Sequence, residues 1–112
     1  MRLESSRRFQ LWEYRVNHGA LLIRSPKGPQ ESNNIDVVFD GVEYIDCPRM
    51  LRGLLLTEGS AEDLHVLARA FGEVHPPNRV FVLTTGGIAY HVVASSCRIG
   101  ENQADIFDSP FT

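Results

Sequence analysis

Alternating apolar and polar positions, rather than a helical repeat, run through most of this chain. From Phe9 to Val16 aromatic and β-branched residues dominate, with Trp12, Tyr14 and Val16 on one face and Phe9 and Leu11 opening the other. A strand is predicted there. Asn17-His18-Gly19 follows with turn chemistry, since glycine takes the left-handed conformation that a three-residue hairpin needs at its last loop position. Ala20 to Ser25 is the predicted return strand. Ser25-Pro26-Lys27-Gly28-Pro29 and the following Ser32-Asn33-Asn34 include two prolines without backbone donors, and a loop is predicted.

Ile35 to Phe39 alternates, as does Val42 to Asp46, with Asp40-Gly41 between them. The Asp-Gly pair favours a two-residue hairpin, which sets Phe39 across from Val42 and Val37 across from Tyr44. The competing reading keeps one long strand with a bulge at Gly41 and puts Phe39 and Ile45 on one face. Cys47-Pro48 ends this element, and Gly53 to Thr57 predicts a short buried strand. A helix is predicted over Ser60 to Phe71, because Ser60 and Asp63 resemble a capping box and Gly72 is a stop. Its apolar stripe is Leu64, Leu67, Ala68 and Phe71, while Glu62, His65 and Arg69 face water. After His75-Pro76-Pro77-Asn78, the segments Val80 to Thr85 and Ile88 to Ser95 flank Gly86-Gly87 as a second hairpin. Phe81, Leu83, Tyr90 and Val92 share one face of it, and Val80, Val82, Ala89 and Val93 the other. A strand pair apolar on both sides belongs between the helix and other strands. Residues 101–112 are polar except Ile106, Phe107 and Phe111, and predict a short edge strand or a tail clipped to the core.

Sequential hairpins with one helix predict an α+β fold in one domain over residues 1–112. It comprises six or seven mostly antiparallel strands, in a sandwich or partly closed barrel, with the helix at about 60–71 covering one face or opening. A chain of 112 residues suits one core and buries about two-thirds of its extended surface.

Hydrophobic residues make up 43% and charged residues 22%, a balance that favours folding over disorder. Cys47 and Cys97 are too few for a disulfide scaffold and lack paired metal-ligand spacing, so both read as reduced thiols. The basic MRLESSRR start has no signal-type apolar run behind it, and no stretch approaches a membrane span. A cytoplasmic protein without membrane contact is expected. The net charge of −3 argues against a dedicated nucleic-acid binder. The charge is uneven: six cations against two acids give +4 over residues 1–28, and three cations against nine acids give −6 over residues 31–73. Attraction between these halves across adjoining strands is expected.

No glycine-rich loop opens a helix after a strand, so no phosphate cradle is expected. His18, His65, His75 and His91 stand singly, which predicts no metal site, and no cofactor is implied. Cys97 has Arg98 beside it and His91 upstream, yet six residues of strand separate thiol from imidazole by roughly 20 Å, so packing is its expected role. Trp12, Tyr14, Tyr44, Tyr90 and His91 are the candidate lining of a ligand pocket, since they combine aromatic walls with polar tips. A filled core is the simpler role for such residues.

The run Phe9-x-Leu11-Trp12-x-Tyr14-x-Val16-x-His18-Gly19-x-Leu21-Leu22-Ile23-Arg24-Ser25 resembles the opening of small uncharacterised bacterial proteins of unknown function. Phe39-x-Gly41-Val42-x-Tyr44 adds to the likeness. The resemblance implies a bacterial source and no activity. The expected role is a non-catalytic protein-binding or regulatory module, accessory or immunity-like, with a small-molecule binder or small enzyme as the alternative. The aromatic tail further suggests a homodimer.

Overall fold

Alternation this persistent lets each strand bury one face, and across residues 1–110, which this computed structural model describes, the chain pairs almost entirely as antiparallel sheet. The strands are β1 (Arg2–Arg15), β2 (Ala20–Ser25), β3 (Asn34–Asp40), β4 (Tyr44–Asp46), β5 (Met50–Glu58), β6 (Arg79–Thr85), β7 (Ile88–Ala94) and β8 (Ser96–Asn102). A short 3₁₀ turn, Val16–His18, joins β1 to β2, and helix α1 (Ala61–Ala70) joins β5 to β6. The sheet order is β4-β7-β6-β5-β1-β2-β3-β8. The α+β class and the single helix match expectation, with eight strands in place of six or seven. The surplus is β8, which starts at Ser96 rather than near residue 101.

The order is open, yet the sheet rolls up. Phe39 on β3 and Phe81 on β6 meet edge to face with centroids 5.5 Å apart, although β5, β1 and β2 separate their strands. Phe9, Ile23, Val37, Leu51 and Leu83 join them in the core. Dispersion and apolar burial across this concave face hold the curl.

The Asp40-Gly41 hairpin does not form. β3 pairs with β2 and β8, whereas β4 pairs with β7. The chain instead runs on past Gly41 (φ +63°) beside the equally continuous β7–β8 segment. Ser95 N–H donates to Asp40 O at 2.9 Å and Glu43 N–H to Val93 O at 2.8 Å across this corner. Register slips by one there, from Asp40↔Ser96 to Tyr44↔Val93. Ile45 opposes core residue Val92, so Phe39 and Ile45 share a face, as the long bulged strand requires. Long-range pairing outweighs the local turn signal.

A second irregularity corrects β1. Leu11 opposes Ile23 and Glu13 opposes Leu22, which leaves Trp12 as the extra residue of a bulge. Alternation reverses there. Trp12 packs outward with Ala20, Leu22 and Val38, while Tyr14, opposite Leu21, faces the core side.

The capping box forms in full, with the Ser60 hydroxyl accepting from Asp63 N–H and the Asp63 carboxylate accepting from Ser60 N–H. The predicted helical stripe is mostly wet. Leu67 alone among the helical residues is buried, against Val80 and Val93, and Leu64 is 44% exposed. Phe71, just past the helix, and Val74 pack on the same cluster, so the contact with the sheet is made mainly by one side of the last turn. Among the described residues no helix is long and apolar enough to cross a membrane. Phe111, the third apolar residue of the tail, lies outside the described residues.

Candidate functional site

Arg24 and Asp36 face each other as cross-strand partners on the outer face of β2 and β3. Both are nearly inaccessible, at 1% and 3% exposed. Their pairing is bidentate, Arg24 Nε to Asp36 Oδ1 at 2.6 Å and Arg24 Nη2 to Asp36 Oδ2 at 2.9 Å. Asn102 Nδ2 also donates to Asp36 Oδ2 at 2.7 Å, and the guanidinium sits 5.4 Å from the Trp12 ring centre. Burying two charges costs several kcal/mol each, recovered only when geometry and remaining hydrogen bonds are good. Those bonds come partly from the segment that covers the pair.

That segment is residues 103–110. Arg24 Nη1 donates to the Asp108 carbonyl at 3.1 Å, Lys27 Nζ to the Gln103 carbonyl at 2.6 Å, and Asn34 Nδ2 to the Ala104 carbonyl at 2.9 Å. Three side chains from β2, the following loop and β3 thus bind its backbone. Within it, Asp108 N–H donates to Asp105 O at 2.9 Å, closing a tight turn. Its central residues are Ile106 and Phe107, which are 63% and 95% exposed. Turn centres usually hold Gly, Pro, Asn, Asp or Ser, for conformational and solvation reasons. Two large apolar residues there break the local rule, and such breaks concentrate at functional sites. Ile106 also borders a cavity of about 120 Å³ with Trp12, Arg24, Pro26, Lys27 and Asn34.

Of the five predicted lining residues, only Trp12 belongs to this surface. Tyr14 lies on the concave side near the end of β1 and is 46% exposed. Tyr90, half-buried opposite Leu83, is also on that side, near the β6–β7 turn. Tyr44 and His91 both lie on the outer face, on the side of α1, each with its own partner. Tyr44 packs on Phe71 with centroids 5.6 Å apart, and buried His91 places Nε2 3.0 Å from Asp63 Oδ1. Burial pushes the Asp63 carboxyl up, but hydrogen bonds from Ser60 N–H, His91 and the Ser60 hydroxyl outweigh it and hold the group below the usual aspartate value.

Cys47 and Cys97 are half-buried free thiols, both pushed up to about 12 by burial. At neutral pH they are thiols, packed on the core rather than poised for attack. Cys97 points to the core side opposite Phe39, whereas His91 points to the helix side; the irregularity at Ser95 separates their faces. Among the described residues no group of three or more His, Cys, Asp or Glu side chains is placed to hold a metal ion.

The expected attraction between the basic and acidic halves is carried by Arg24–Asp36 and by Arg7–Glu31 at 3.4 Å. Sequence reasoning missed the first as a site. Its signal is a charge inside an otherwise apolar strand, Leu21-Leu22-Ile23-Arg24 and Ile35-Asp36-Val37. No protein-family model, curated protein or solved structure matches this chain.

Proposed function

We propose that this domain is a non-catalytic protein-binding module whose anchor is the Asp105–Asp108 turn, with Phe107 as the inserted side chain. One observation carries the reading: a phenyl ring 95% exposed stands on a turn whose segment is bound by Arg24, Lys27 and Asn34. A free tail would lose entropy on docking, whereas a braced one has been ordered already by folding. Burying the ring in a partner's pocket is worth about 2–3 kcal/mol by area alone. Trp12 and Ile106 extend the apolar contact beside it. The role that fits is a small accessory or immunity-like protein in a reducing cytoplasm, where Cys47 and Cys97 stay thiols.

The test is affinity capture from an extract of the host with the wild-type chain and with Phe107→Ser, both checked by thermal melt. A protein retained by the wild type and reduced at least tenfold by the variant, at unchanged melting temperature, supports the reading. Identical capture by both, or none by either, overturns it.

A further inference from the structure

Arg8 on β1 and Arg52 on β5 stand directly opposite one another. The next pair, Phe9 and Leu51, is fully buried in the core, so both arginines project from the outer face, and both are exposed. Directly opposed Cα atoms lie about 5 Å apart, and like charges so placed destabilise a sheet. Seven of the nine other Lys and Arg side chains are paired instead. Arg2, Arg7, Arg15, Arg24, Lys27, Arg79 and Arg98 each have a carboxylate partner. Among the described residues the Arg8 and Arg52 side chains have none.

One bulge fixes this juxtaposition. Register shifts between Ser5 and Arg8, so that Ser6 and Arg7 lie against Gly53 alone, whose φ is +82°. Within this shift, Arg7 donates to the carbonyls of Ser25, Pro26 and Asn33 and pairs with Glu31. Arg8 is left facing out beside a groove of about 400 Å³ shared with Arg7, Gln10, Ser25, Pro26 and Glu31. The single acid at that groove is already engaged by Arg7.

We infer that the Arg8–Arg52 pair receives carboxylates on alternate residues of an extended acidic segment in the partner protein. The inference rests on the protein-binding reading and names the chemistry of the partner. Alternate side chains of an extended strand project to one side about 7 Å apart, within reach of two neighbouring guanidiniums. Each guanidinium fork matches a carboxylate in a bidentate geometry. The net charge of −3 disfavours a long polyanion such as nucleic acid, whereas a short acidic segment meets the local positive charge.

The experiment titrates the ¹⁵N-labelled full chain with a capped octapeptide of alternating Glu and Thr, at low salt, following the arginine Nε–Hε resonances. Saturable shifts of Arg8 and Arg52 are expected, with affinity about tenfold weaker in R8Q or R52Q. Each variant should also melt higher, so lost binding cannot be lost folding. Absence of shifts at these two arginines, or unchanged affinity in both variants, overturns the inference. So does equal competition by inorganic phosphate or by a thymidine oligonucleotide, which would assign the pair to phosphate. The F107S variant separates the two readings. Failure of the peptide with persisting Phe107-dependent capture sinks the arginine site alone. Peptide binding with failed capture supports the arginine site and sinks the turn as anchor.

Discussion

Asp63 does two jobs with one carboxylate. Oδ2 accepts from Ser60 N–H at 2.8 Å and from the Ser60 hydroxyl at 2.9 Å, while Oδ1 lies 3.0 Å from His91 Nε2 on β7. It therefore caps α1 and ties the helix to the sheet, which matters because Leu67 is the only buried residue within that helix. Its carboxyl is held below the ordinary value when folded, so the unfolded chain takes up the proton first as pH falls. The resulting stabilisation is complete above about pH 4, the unfolded value, and is lost as pH drops through the lower folded value. Asp63→Asn is expected to cost about 1 kcal/mol at pH 7 and to flatten the acid limb of stability below about pH 4. Urea titrations at stepped pH check this; an unchanged acid limb would remove Asp63 from it. The capping box was legible because three-residue spacing is local. The burial of the Arg24–Asp36 pair was not, since it depends on Asn102, which donates to Asp36, and on the carbonyl of Asp108, which accepts from Arg24, both far along the chain.

At the scale of elements, the legible parts are those whose partners are close in sequence. Gly86 and Gly87 both take positive φ, +58° and +77°, and make the hairpin the pair announces. Gly19, at +54°, ends the 3₁₀ turn between β1 and β2 as the turn chemistry requires. Gly41 also has positive φ, and both a hairpin and a bulge use a glycine there; the distant β7–β8 segment decides between them. Trp12 shows the same limit, since nothing local marks it as a bulge. A Cβ at Gly41 would lie 2.5 Å from Ser95 Oγ, which donates to Asp40 O at 2.9 Å. Gly41→Ala therefore adds a steric conflict to its left-handed strain and is expected to cost about 2–3 kcal/mol. Gly87→Ala, with open space around its Cβ, should lose about 1 kcal/mol. Denaturation midpoints compare the two directly, and equal losses would mean that the corner yields without resistance.

For the whole molecule, the apolar turn raises the matter of self-association. A surface that awaits a partner can also be covered by a second copy, and two-fold pairing is the commonest closed arrangement. We expect a homodimer at micromolar concentration when no partner is present, with Phe107 in its interface. Cutting the chain after Asn102 would be a poor test. It deletes the Gln103, Ala104 and Asp108 carbonyls that accept from Lys27, Asn34 and Arg24, and it exposes a buried ion pair. Truncation would thus change folding together with assembly. Substituting Phe107, which is almost wholly exposed, leaves those bonds intact. Light scattering should report a mass near twice that of the chain for the wild type and near one chain for Phe107→Ser. A dimer in both would move the interface away from the turn. A monomer in both would reserve the turn for another protein, the outcome that host-extract capture with the same variant then decides.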